Sequence, residues 1–164
     1  MLEELMRGFG DYQRNIMKVA LDGAEAEKPK DIAGIFLAKL PLPTVIIDKE
    51  EYSFYGARVG PGKAVRPHRH MHGAEPYALF SGQGLMHIGQ EYDGYIAWNV
   101  PLHIHIGSTI VIPEGAFHCF YNFDENPVDF VFACPPGHLS DEDRFFADKS
   151  GLKNPMPPIL GLFV

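Results

Sequence analysis

The feature that most restricts the fold is the punctuation of the chain after Pro29. Short apolar runs recur at 34–40, 44–48, 52–59, 77–80, 85–88, 95–100, 108–112, 117–121 and 128–133, with glycine or proline in nearly every gap. Runs of this length, bounded by turn residues, read as strands. Nine of them in roughly a hundred residues predict an antiparallel barrel or sandwich and exclude a helical bundle. The 17 glycines and 14 prolines among 164 residues agree with many tight turns. Ahead of the strands, Leu2, Leu5, Met6, Phe9, Tyr12, Ile16, Met17, Val19, Ala20 and Leu21 recur mostly at spacings of three and four. That pattern predicts an amphipathic helix over 2–21, weakened by Gly8 and Gly10, followed by a polar linker over 22–30. In the tail a short helix is expected from Ser140, with Asp141, Glu142 and Asp143 in its first turn, where the helix dipole favours carboxylates. The expected organisation is therefore a helix and linker over 1–30, a β-barrel over 31–138 and a tail over 139–164 packed on the barrel.

Charge narrows the partners. With 14 basic and 21 acidic residues the formal net charge is −7, the wrong sign for a sequence-independent grip on nucleic acid or anionic lipid. A small-molecule partner is expected, with no nucleic acid and no membrane. Cys119 and Cys134 form no CxxC, so no disulfide framework supports the fold and a reduced compartment is expected. No apolar run approaches the roughly 20 residues that span a bilayer, and the N-terminus lacks a signal-peptide pattern; a soluble, cytoplasmic protein is expected.

The histidines carry the chemistry. Eight are present, at 68, 70, 72, 87, 103, 105, 118 and 138. Alternate strand positions share a face, so His68 and His70 can point two imidazoles into one space. A hairpin through the turn after His70 would bring Glu75 back over that space. In the segment 107–122, Pro113 and Gly115 form a tight turn and His118 leads the next strand, sharing a face with Phe120 and Asn122. Three imidazoles and one carboxylate suit a divalent transition metal (Fe, Mn, Ni, Zn or Cu) better than calcium, which takes oxygen ligands.

Gly62 to Gly82 reads G-x5-H-x-H-x4-E-x6-G, and Gly107 to Asn122 reads G-x5-P-x-G-x2-H-x3-N. Both resemble, at every position, the two signature motifs of the cupin superfamily. The resemblance implies a mainly β fold: a small antiparallel β-barrel or double-stranded β-helix (jelly-roll-like), here with an N-terminal helix outside it. It implies that His68, His70, Glu75 and His118 hold the metal. It also implies three activities: dioxygenase-type oxidation of a chelating substrate, isomerisation of a sugar or sugar phosphate, or small-ligand sensing without chemistry. The stretch between the motifs is longer than in compact relatives, and an extra loop is expected around 89–95.

Among the remaining residues, Glu75 and Tyr77 are the catalytic candidates. Tyr77 shares parity with Glu75; its phenol would orient substrate or act as a general acid, or else serve as a core tyrosine. Phe120, Phe130 and Phe132 are expected to line the barrel, with Phe120 and Phe132 as apolar substrate contacts. Arg66, with Lys63 behind it, is the candidate for an anionic substrate. His103 and His105 are read as a solvated outer face of a strand whose other face carries Ile96, Trp98, Val100, Leu102, Ile104 and Ile106. His72 sits beside the site, and His87 and His138 are expected to be surface or hydrogen-bonded residues. Cys119 should point away from the metal. A homodimer is expected, because outward-facing Ala78 and Phe80 need cover.

Overall fold

The computed structural model describes residues 11–27, 35–140 and 142–158. One helix, α1 (Asp11–Glu27), precedes twelve strands: β1 (Ile35–Lys39), β2 (Val45–Ile47), β3 (Glu50–Val59), β4 (His68–Arg69), β5 (Glu75–Ser81), β6 (Gln83–Tyr92), β7 (Tyr95–Trp98), β8 (Leu102–His105), β9 (Thr109–Ile112), β10 (Phe117–Tyr121), β11 (Val128–Cys134) and β12 (Phe145–Phe146). They form two antiparallel sheets. The first runs β1-β3-β11-β5-β9 with β2 on β3, the second β12-β4-β10-β6-β7 with β8 on β6. From β3 to β6, and again from β9 to β12, successive strands alternate between sheets, the winding of a double-stranded β-helix.

The two inner faces make the main core. Tyr55, Ala57 and Val59 from β3, Tyr77 and Leu79 from β5, and Phe130, Phe132 and Cys134 from β11 meet Met86, Phe120 and Ile104 from the opposite sheet. The other face of the first sheet is apolar too. Tyr52, Phe54, Ala78, Val131 and Ala133 pack there against Met17 and Leu21 of α1, with Phe80 beside them. Ala78 and Phe80 do face outward, Ala78 in one buried cluster with Met17 and Leu21 of the chain's own helix and Phe80 packed against that cluster. Arg58 fastens the helix: it bonds Asp129 at 2.8 Å and Asp22 of α1 at 2.7 Å.

Several expectations are corrected. The helix expected over 2–21 is seen from Asp11, residues 2–10 lying outside those described, and it runs on to Glu27 in place of a linker. Ala and Glu at 24–27 are strong helix formers, which explains the extension. The loop expected at 89–95 is instead a continuous hairpin: β6 pairs with β7 as far as Tyr92↔Tyr95. Asp93 and Gly94 between them have φ of 48° and 76°, the two left-handed positions a two-residue hairpin turn needs. The single apolar face expected along 96–106 is broken at Asn99–Pro101. Ile96 joins an outer cluster with Phe117 and Ala147, whereas Ile104 is in the barrel core. Val100 and Ile106 are exposed, as are His103 and His105. The helix expected from Ser140 does not form among the described residues; a 3₁₀ turn spans Pro136–Leu139, and β12 follows. Asp143 is drawn away from any first turn, because its carboxylate accepts the backbone N–H of Met71 at 2.8 Å and faces that of His72 at 3.3 Å; Asp141 lies outside the described residues.

Candidate metal centre

Strand pairing assembles the site from distant segments. β4 lies between β12 and β10, and its register sets His68 directly opposite His118. Residues so paired have Cα atoms about 4.5–5.5 Å apart, and the two rings meet with centroids 4.3 Å apart. His70 follows just past β4, its centroid 4.9 Å from that of His68 and 5.6 Å from that of His118. Glu75 opens β5 on the facing sheet. It does not return through a hairpin, as its spacing predicts; β4 and β5 belong to different sheets and the turn between them crosses the barrel. Its Oε2 reaches the same space, 3.1 Å from His118 Nε2 and 3.8 Å from His70 Nε2. All four residues are buried, and ligand atoms of the three histidines lie within 4.8 Å of one another.

The rings are aimed from behind. Nδ1 of His68 donates to the carbonyl of Arg66 at 2.8 Å, that of His70 to Asp143 at 2.7 Å, and that of His118 to Ala116 at 3.3 Å. A carbonyl only accepts, so in each ring the proton sits on Nδ1 and Nε2 keeps its lone pair. This is the anchored tautomer that metal-ligating histidines adopt. Glu75 Oε2, fully buried, has no hydrogen-bond partner of good geometry among the described residues. Three lone pairs and a carboxylate oxygen thus converge in a buried space, a donor set that fits a divalent transition metal. His68, His70, Glu75 and His118 could hold one.

Electrostatics point the same way. Burial, followed by the neighbouring His118 and His70, holds His68 well below the ordinary imidazole range. Burial pushes His70 down to about 4 against the opposing pull of Glu75. For Glu75 burial acts upward, but the contacts to His118 and the proximity of His70 and His68 outweigh it and hold the carboxyl at about 2. Neutral imidazoles and an ionised carboxylate are the forms that bind metal.

Around this centre, Tyr77 places its hydroxyl 3.5 Å from His118 Nε2. Burial, then Glu75, raises its pKa well above 10. Its ring stacks on Phe132 at 5.4 Å, which stacks in turn on Tyr55 at 5.5 Å. Phe120 lies deeper, edge-on to Phe130 at 5.3 Å. Arg66 stands on the rim, exposed; it pairs with Asp148 at 2.6 Å and lies 4.1 Å over the Phe146 ring. Arg69 pairs with Glu91 at 2.8 Å. Asn122, which closes the second motif, is a clamp: its Nδ2 donates to the carbonyls of Val59, Gly60 and Asn126. Cys119 is buried in the same strand as His118 with the opposite parity, its thiol pushed up to about 12 by burial.

Two histidines read as surface or hydrogen-bonded are buried, and one of them, His138, is hydrogen-bonded, its Nε2 donating to the carbonyl of His72. His87, read as surface or hydrogen-bonded, is fully buried with neither ring nitrogen hydrogen-bonded to a described residue. His138, read in the same way, is only 1% exposed and enters the centre, its ring stacked flat on His70 at 3.9 Å. His72 is exposed, its Nδ1 3.2 Å from Asp143. Asp143 itself, whose carbonyl aims His70, was readable only as a tail carboxylate.

The chain matches no family model and no curated protein by sequence. Solved structures share its fold. One is an oxalate oxidase studied structurally and spectroscopically (19% identity, 80% of this chain and 66% of that one, TM-score 0.53). A second is a recombinant oxalate oxidase in complex with glycolate (19% identity, 70% and 56%, TM-score 0.52). A third is the Lactobacillus farciminis oxalate decarboxylase formate complex (16% identity, 65% and 30%, TM-score 0.50). The chain spans about half the length of the glycolate-bound oxalate oxidase chains it matches. At these identities the likeness is one of fold.

Proposed function

Because this chain has the cupin fold, we propose that it is a metal-dependent enzyme that oxidises a small chelating substrate with dioxygen. His68, His70, Glu75 and His118 would hold the divalent ion. The observation that carries the reading is the common anchoring of three buried imidazoles by backbone carbonyls, with Glu75 Oε2 left without a hydrogen bond among their free nitrogens. When bound, the ion would supply a Lewis acid and, if redox-active, a route for electrons between a chelated substrate and dioxygen.

The chain's own residues supply the rest. Tyr77 sets its hydroxyl beside His118, and burial together with Glu75 raises its pKa, so the phenol is suited to donate a hydrogen bond to an oxygen of the bound substrate. Phe132 and Phe120 offer an apolar wall that favours a small ligand with few polar groups. The glycolate and formate of the fold neighbours are small carboxylates of that size, which supports the same substrate class. A phosphosugar fits less well, since Arg66 and Arg69 are both engaged by carboxylates.

The test combines elemental analysis of the purified protein with oxygen uptake on a panel of small hydroxy acids, dicarboxylates, enediols and catechols. Substrate-dependent uptake is expected, lost in His118→Ala. Ketose–aldose exchange without oxygen consumption would replace this reading with isomerisation, and tight ligand retention without turnover would replace it with a binding module.

A further inference from the structure

His138 sits in the 3₁₀ turn Pro136–Leu139 that follows β11, on the site side of the barrel. Its Nε2 bonds the backbone carbonyl of His72 and lies 3.7 Å from Asp143 Oδ2. Both neighbours are acceptors, so Nε2 carries the hydrogen and Nδ1 is the lone-pair nitrogen. That Nδ1 is buried, has no hydrogen-bond partner among the described residues, and faces Glu75 Oε1 at 4.0 Å. Two acceptors face each other across a gap too wide for a direct bond.

His70, Glu75 and His138 lie close enough to share an ion, but the ring geometry argues against it. The His70 and His138 planes are tilted by only 2° at 3.9 Å separation. Imidazole lone pairs lie in the ring plane, so two stacked rings cannot both aim at one ion between their planes. His70, with its Nδ1 anchored by Asp143, belongs to the set formed with His68 and His118.

We propose that His138 is a positioning residue: a water bridging its Nδ1 and Glu75 Oε1 fixes the carboxylate and leaves Oε2 for the metal. A donor atom about 2.8 Å from each acceptor would subtend roughly 90° across the 4.0 Å gap, within the compass of the two hydrogens of one water. The inference rests on the metal-centre reading above and adds a residue that lies outside both sequence motifs.

The experiment is Co²⁺ titration of the metal-free protein, reading both affinity and the visible absorption spectrum, in wild type, His138→Phe, His138→Gln and His118→Ala. His138→Phe keeps a stacking ring and removes the acceptor. It is expected to weaken Co²⁺ binding by about 10–100-fold, the usual effect of removing an outer hydrogen bond from a ligand, and to change the spectrum as the carboxylate is released. His138→Gln, whose amide can reach Glu75, is expected to restore both. Wild-type affinity and spectrum in His138→Phe would overturn the proposal. So would a loss as complete as that of His118→Ala, which would make His138 a ligand. Undiminished binding in His118→Ala would instead sink the metal-centre reading itself. A high-resolution crystal structure of wild type is the second measurement and does not depend on any variant folding: a solvent atom in hydrogen-bonding range of both Nδ1 and Oε1 is expected, and its absence overturns the proposal.

Discussion

Gly84 of β6 lies under the Phe120 ring on the strand next to His118. A Cβ there would stand 2.3 Å from Phe120 Cζ and 2.6 Å from the Tyr121 carbonyl oxygen, so ring and backbone would both have to move. Overpacking of this kind destabilises by about 1–3 kcal/mol. Gly84→Ala is therefore expected to lower the unfolding free energy by that amount, read as a lower denaturation midpoint at unchanged slope; a midpoint equal to wild type would show that Phe120 yields freely. At this scale the sequence was most informative where a residue sits on a strand. The period of two places His68, Phe120 and Tyr77 on inner faces. His138 could not be found in the same way, because it follows the last long strand in a 3₁₀ turn with no period to read.

Helix α1 packs on the outer face of the first sheet. Leu21 is completely buried and Met17 nearly so, both against the outer face that carries Ala78, Val131 and Phe54. Leu21→Ala is expected to cost about 2–5 kcal/mol, the usual range for a buried leucine, measured by chemical denaturation. A loss below 1 kcal/mol would mean that the helix is only loosely docked. The nine apolar runs all became strands. β12, two residues long, gave no signal because no periodicity can be established over so short a stretch, whereas β4, equally short, falls where His68 and His70 are read as strand positions. Their partners are set by long-range pairing, and that pairing brings the two motifs together. The hairpin expected from His70 to Glu75 failed for a related reason: spacing along the chain cannot tell a turn within one sheet from a crossing between two.

For the molecule as a whole, the centre ties stability to pH. His70 would titrate at 6.5 in the unfolded chain but only at about 4 when folded, and His68 is displaced in the same direction. Between those values the unfolded chain binds more protons, so stability is fully present above 6.5 and falls as pH drops through that window. Glu75, lowered from 4.5 to about 2, adds a second loss at still lower pH. The melting temperature of the metal-free protein is therefore expected to fall between neutral pH and pH 5, each kilocalorie showing as roughly 2–4 °C. A flat profile would mean that these rings are protonated in the fold. No helix among the described residues is long and apolar enough to cross a membrane.

The carbonyl that aims the His70 ring belongs to Asp143, 73 positions downstream. During synthesis every proposed donor, His118 included, emerges before that carbonyl does. A nascent chain that has finished both motifs would therefore carry all four donors while one ring is still free to swivel. Correct loading with metal would then belong to the end of translation, and a fragment cut just after β11 would keep the donors but lose their alignment.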